Sequence, residues 1–271
     1  MLHEFSYVAP TSREELFAFL ETHGGESTVF SGGTDLFVNM RADLVRPTFV
    51  VDLKKVEEFH SLAYDQEGLR IGCCVTVNEV VDDERVKEHY PILHIAGNEL
   101  ATYQLRNRAT VVGNVVTASP CGDMSSPLLV LGAEMVISSK DETRRVPIGE
   151  FITGVKKTVL QPNEIVEGIV VPKRYENAPG GYKKLKRIKG HDLGLVSVTL
   201  VRPPGILRFA ISSAAPTPVM LPEFAADTPV EEVRQVAHEA ISPIDDVRCT
   251  KDYRDFMVGV YIERLLDEVS E

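Results

Sequence analysis

A chain of 271 residues with 44% hydrophobic residues exceeds one average domain and can fill a real core, so two or three packed units are expected and overall disorder is excluded. Its 29 Lys and Arg against 40 Asp and Glu leave a formal charge of -11, which repels a polyanion and makes nucleic acid a poor partner. No basic region followed by an apolar core opens the chain and no apolar window is long enough to span a membrane, so a cytoplasmic protein without a membrane span is expected.

In chain order, Ser12 with Glu15 forms a capping box, and the helix after it puts Leu16, Phe19 and Leu20 on one face and stops at Gly24-Gly25. The run Thr28-Val29-Phe30 reads as a strand, followed by the turn Ser31-Gly32-Gly33-Thr34 and a helical turn from Asp35 to Val38. TFVVDL at 48–53 is a second buried strand, and a boundary falls near Asp52. LRIGC at 69–73 is strand-like. Thr76 with Glu79 repeats the capping signature before VNEVVDDERVKEHY, and Pro91 suits the first turn of a helix through ILHIAGNELAT.

The runs EMVISS at 134–139 and RRVPI at 144–148 flank a polar connection and predict a hairpin, and EIVEGIVVP at 164–172 adds a strand. The turn formers of KRYENAPGG, Lys173 to Gly181, mark a second boundary. Three strands are expected at 181–188, 195–201 and 206–213. A terminal helix capped by Thr250 should carry Tyr253, Phe256, Met257, Val260, Tyr261 and Leu265 on one buried stripe.

Three segments could carry chemistry. In VFSGGTDL, Val29 to Leu36, adjacent glycines after a strand let backbone amides turn toward a phosphate; the same letters also make an ordinary tight turn. In LRNRATVVGNVVTASPCGD, Leu105 to Asp123, a strand-to-glycine turn at Thr110 to Asn114 precedes small residues that would let a large ligand lie close to the main chain. Loop packing is the alternative. Asp123 could accept hydroxyl hydrogen bonds from a sugar or sugar alcohol, or cap the turn before Met124 to Leu131.

The third segment, YKKLKRIKGHDLGLVSV, holds five basic residues, Lys183, Lys184, Lys186, Arg187 and Lys189. Strand alternation puts Lys184 and Lys186 with Tyr182 on one face, and Lys183 and Arg187 on the other. Such a run is either a solvated edge strand or a site for an anionic ligand. Cys73, Cys74, Cys121 and Cys249 have no ligand spacing, so no metal site is expected and the thiols are read as reduced.

These three segments resemble, in order and spacing, the FAD-binding subunits or domains of xanthine dehydrogenases, carbon monoxide dehydrogenase and related molybdenum hydroxylases, over nearly the whole chain. The resemblance implies an α+β fold: two α+β subdomains of the vanillyl-alcohol-oxidase (PCMH) type clasping FAD, at 1–52 and 53–173, then a C-terminal flavoprotein domain at 178–271 with an antiparallel sheet and helices. Carried over, Val29, Phe30, Ser31, Gly32, Gly33, Thr34, Asp35 and Leu36 would wrap the FAD pyrophosphate. Thr110, Val111, Val112, Gly113 and Asn114 would make the second phosphate and ribityl contact. Asp123, Ile165 and Lys184 complete the implied cofactor set.

No G-x-G-x-x-G follows the first strand, so a Rossmann fold is not expected. Two departures stand out. Val112 occupies a position where the family has glycine, which is costly if φ is positive there, and Leu100 stands where some relatives have an aromatic ring near the flavin. The cysteine count also excludes the family's variant with an extra iron–sulfur cluster in this subunit.

No nucleophile, metal cluster or acid–base pair is legible, so no catalytic side chain is assigned and the redox chemistry falls to the flavin. The resemblance implies electrons arriving from a partner subunit with [2Fe–2S] clusters, after leaving substrate on a molybdopterin-binding large subunit, and passing on to NAD+ or another acceptor. The alternatives are a scaffold subunit of the same fold that binds no flavin, favoured by Val112, and a self-sufficient flavin oxidase or cell-wall reductase, disfavoured by the third segment.

Overall fold

The computed structural model describes residues 2–188, 190 and 192–269. The chain forms three main sheets in sequence order. The first is parallel, with Phe49–Asp52 between Ser6–Val8 and Ser27–Phe30. The helix Arg13–His23 covers it, burying Leu16, Phe17 and Leu20 with Val51 in one core. Removing three such side chains from water stabilises by about 1.5–3 kcal/mol each.

Ser12 caps this helix by accepting from the Glu15 amide, but the expected capping box is only half made. The Glu15 carboxylate instead accepts from the Thr11 amide (2.7 Å) and hydroxyl (3.1 Å), one residue further back.

The second sheet is antiparallel, ordered Leu62–Tyr64, Gly68–Gly72, Ile165–Pro172, Glu134–Ser138, Thr143–Pro147. The predicted hairpin is its far edge. Helices Val77–Asp82, Glu84–His89 and Pro91–Glu99 pack with it. The segment 77–90 is two helices rather than one: Asp83, extended at φ -69° and ψ 124°, caps the second by accepting from the Arg85 and Val86 amides. The capping box at Thr76 is complete, with the Glu79 carboxylate 2.7 Å from the Thr76 amide. Thr76→Ala should lower stability by about 1 kcal/mol, read as a shift in the urea midpoint.

The third sheet is antiparallel, ordered Gly180–Leu185, Val196–Val201, Ile206–Ser212, Val219–Met220. The run expected to 188 leaves the sheet after Leu185. Strand Val196–Val201 is buried on both faces. Val196, Val198 and Leu200 enter a separate C-terminal core with helices Val230–Ala240 and Lys251–Val269. On the other face the Thr199 hydroxyl donates to Ser126 at 2.8 Å, and from the next strand Arg208 Nε donates to the Val130 carbonyl at 2.7 Å, tying this sheet to helix Ser125–Val130 of the preceding unit.

The terminal helix corrects one expectation. It buries Arg254, Met257, Val258, Tyr261, Ile262 and Leu265, whereas Tyr253 and Phe256 are 45% and 61% exposed. The stripe is turned by a buried cation: Arg254 donates to the carbonyls of Leu195 and Ser213 and pairs with Asp246 at 2.8 Å. Those partners lie on the sheet side, so that side becomes the buried one. No helix among the described residues is long and apolar enough to cross a membrane.

Candidate functional site

The parallel strand Ser27–Phe30 delivers its chain end to a turn at Ser31–Asp35 and the short helix Leu36–Arg41. Loops at the carboxyl ends of parallel strands are where ligands sit in such sheets. The two glycines of this turn serve different needs. Gly33 has φ +72°, a left-handed conformation costly for other residues. A Cβ at Gly32 would lie 2.1 Å from the Arg108 carbonyl oxygen, so glycine there lets the turn press against the 108–110 backbone.

The contact continues through side chains, with the Ser31 and Thr110 hydroxyls 3.1 Å apart. Thr110 also caps the helix Val111–Val116, its Oγ1 accepting from the Gly113 amide at 3.0 Å. The expected strand-to-glycine turn at 110–114 is therefore the start of a helix. The reason lies upstream: the Ala109 carbonyl accepts from the Val77 amide and the Val111 amide donates to Val75, which holds Thr110 extended and ready to cap. Val112 has no positive φ and is buried in the core, so the glycine-to-valine departure carries no backbone strain, and the basis for a scaffold that excludes flavin disappears.

Between the two segments lies a cleft of about 470 Å³. Of the residues expected to bind the cofactor, Val29, Phe30, Ser31, Gly32, Gly33, Thr34, Asp35 and Leu36 line one side, Thr110, Val112, Gly113 and Asn114 the other, and Ile165 the end of the central strand of the second sheet. Val111 turns into the core instead, fully buried. Asn114 Oδ1 accepts from the Met124 amide at 3.1 Å, which fastens the loop 119–124 to the cleft helix.

Asp123 and Lys184 stand together outside that lining. The Lys184 ammonium reaches both carboxylate oxygens, Oδ1 at 2.8 Å and Oδ2 at 2.9 Å, Tyr182 Oη donates to the same Oδ1 at 2.9 Å, and Lys184 also donates to the Glu99 carbonyl. Asp123 does not cap the following helix. Burial pushes its carboxyl above the ordinary value, with Lys184 opposing the shift, and burial beside this carboxylate pushes the Tyr182 phenol well up. Within the strand the alternation holds, Tyr182 and Lys184 meeting Asp123 while Lys183 pairs with Glu268; past its end at Leu185, Lys186 pairs with Glu99 at 2.8 Å and Arg187 with Asp192. Lys189 lies outside the described residues.

Several neighbours carried no sequence signal. Leu53, Cys73, Lys156, Leu160 and Glu164 also line the cleft, drawn from segments far apart in the chain, as does Thr117 from the predicted run of small residues. Lys54 sits behind the glycine turn, donating to the Ser31 carbonyl at 3.1 Å and to Asp52 at 2.7 Å. Asp52 also accepts from Tyr7 Oη at 2.6 Å; burial disfavours its charge, but the hydrogen bonds from Lys54 and Tyr7 outweigh it and hold the carboxyl below its ordinary range. Arg106 is buried, donating to Asn78 Oδ1 and to the carbonyls of Asn98 and Leu100. Leu100 is buried in the core.

The fold and the cleft define a class, an α+β protein with a cleft lined by backbone and small polar side chains. The family described as "FAD binding domain in molybdopterin dehydrogenase" matches residues 3–174. The chain belongs to this family, as the medium, FAD-binding subunit of a molybdenum hydroxylase; its cofactor is FAD and it is an oxidoreductase subunit.

Among curated relatives, the carbon monoxide dehydrogenase medium chain of Hydrogenophaga pseudoflava is 26% identical over 97% of this chain and 96% of its own. The glyceraldehyde dehydrogenase medium chain of Sulfolobus acidocaldarius is 30% identical over 73% of this chain and 69% of its own. A solved carbon monoxide dehydrogenase from Hydrogenophaga pseudoflava, lacking the Mo-pyranopterin moiety of its cofactor, superposes with a TM-score of 0.90 at 25% identity, covering 99% of this chain and 98% of that one.

Proposed function

We propose that the cleft between residues 29–36 and 110–114 holds the FAD pyrophosphate and ribityl chain, and that the subunit works in an assembly with a [2Fe–2S] subunit and a molybdopterin-binding large subunit. The observation that carries the cofactor assignment is the close approach of two backbone segments, Gly32 against the Arg108 carbonyl and Ser31 against Thr110, where the two walls of a cleft lined by small residues meet. A phosphate needs amide and hydroxyl donors at short range, and these segments bring both without bulky side chains in the way.

Bound FAD would supply the chemistry that couples electron delivery from [2Fe–2S] clusters to transfer onto NAD+ or another acceptor. The chain's own residues bind and orient. Ser31, Thr34, Thr110, Asn114 and Thr117 offer hydrogen-bonding groups, Val29, Leu53, Val112, Leu160 and Ile165 offer apolar wall, and Asp123 with Lys184 forms a buried charged pair one loop away. The domain reading accompanies this: 1–52 and 53–173 clasp the cofactor, 178–271 closes on them, and the assembly works in the cytoplasm. The assembly is supported by the names of the relatives, medium chains of carbon monoxide and glyceraldehyde dehydrogenases.

Incubating the purified full chain with excess FAD and desalting it should leave a flavin absorption band near one equivalent. A folded chain that stays colourless, alone and again with its partner subunits, would sink the assignment. Reducing the loaded assembly with dithionite and rapidly mixing it with NAD+ then decides the acceptor: bleached flavin that recovers its band only with a different oxidant excludes NAD+.

A further inference from the structure

We infer that Lys54 is a positioning residue for the pyrophosphate-binding turn, setting the direction of the Ser31–Gly32 peptide from behind. This rests on the FAD reading of the cleft. Lys54 lies outside the cleft lining, yet its ammonium donates to the Ser31 carbonyl at 3.1 Å while Ser31 and Gly32 line the cleft. In a trans peptide the carbonyl and the following N–H point in opposite directions, and no peptide bond in the described chain is cis. A carbonyl held toward Lys54 therefore turns the Gly32 N–H toward the ligand side.

The lysine is itself fixed on three sides. Asp52 accepts from its ammonium at 2.7 Å and from its backbone amide at 2.9 Å, and the Phe30 ring lies beneath the ammonium, 3.9 Å from its centroid. Tyr7 Oη donates to the second Asp52 oxygen, so the sheet's first and middle strands and the turn form one hydrogen-bonded chain from Tyr7 through Asp52 and Lys54 to Ser31. Gly33, with φ +72°, relaxes the turn's left-handed step, and Gly32 must clear the Arg108 carbonyl, so neither glycine can fix the direction of its own peptide. That task falls to the ammonium. Its charge also lies behind a wall meant for an anion, where it acts through the oriented peptide dipole rather than by contact.

The test compares two ligands on the full chain in its native assembly, FAD and riboflavin, the second lacking the pyrophosphate. Lys54→Met should weaken FAD binding about tenfold, the loss of one charge-assisted hydrogen bond, and leave riboflavin binding unchanged when both are read well below the melting temperature, which falls because Asp52 loses its counter-charge, while Lys54→Arg recovers most of the FAD affinity. Equal weakening of both ligands would make Lys54 a general structural residue and overturn the inference. So would a Lys54→Met protein that binds FAD like the parent, and that outcome leaves the FAD reading intact. Failure of the parent itself to bind FAD would instead remove the reading and the inference together.

Discussion

Gly32→Ala should weaken FAD binding roughly five- to 150-fold, the equivalent of about 1–3 kcal/mol for an overpacked contact. The added carbon would sit 2.1 Å from the Arg108 carbonyl oxygen and 3.2 Å from the Ala109 Cα, both backbone, so no rotamer change relieves the clash. The turn must back away from 108–110, which separates the two walls of the cleft and breaks the Ser31–Thr110 contact. Gly25→Ala is the matched control, since a Cβ there meets nothing within 4 Å. Fluorescence titration with FAD reads the effect; equal affinities for Gly32→Ala and the parent would mean that the close approach is not what forms the site.

A larger loss of stability is expected from Lys184→Met. Asp123 is 8% exposed and Lys184 is its nearest cation, so the substitution leaves a buried carboxylate without its counter-charge, at a cost of about 3–5 kcal/mol. The sign of the pH dependence follows from the direction of the shift. Folding raises the Asp123 carboxyl above its ordinary value, so the folded state holds that proton more tightly than the unfolded state. This group's contribution to stability therefore falls as pH rises from the ordinary carboxylate value to the raised one.

Removing the ammonium that opposes the shift pushes the carboxyl further up. The deficit of Lys184→Met should then be largest at neutral pH, shrink as pH falls through the raised value, and be reduced by adding Asp123→Asn. Melting temperatures at pH 5 and pH 7.5 decide it. A deficit independent of pH and untouched by Asp123→Asn would show that the pair is not the seat of the effect.

Local patterns were legible wherever one segment decides its own conformation. Thr76 and Glu79 announce a helix because both halves of the capping box lie within four residues, and Gly32-Gly33 announces a turn because no other residue tolerates such a backbone so readily. The alternation of Tyr182 and Lys184 against Lys183 needs only the two-residue period of a strand. Where a distant partner decides, the reading went astray. Thr110–Asn114 looked like a strand and turn, and Val112 like a strained substitution, until hydrogen bonds from residues 75–77 made Thr110 a helix cap. The terminal helix was given a buried Phe256 because nothing local says that Arg254 finds its acceptors on the sheet side.

The sequence by itself determined the Thr76 capping box, the Gly32-Gly33 turn and the segments whose small residues and glycines suit a dinucleotide, because those properties follow from periodicity, capping and backbone freedom within a few residues, while the α+β class was implied by the family resemblance. Only the tertiary structure decided which of these residues meet. It set Ser31 against Thr110 and Lys54 behind the turn, and it buried Asp123 with Lys184, 61 positions away, outside the cleft lining. Such pairings depend on which hydrogen bonds and charges remain to be satisfied once the sheets have packed, and that demand is not written in any single stretch of chain.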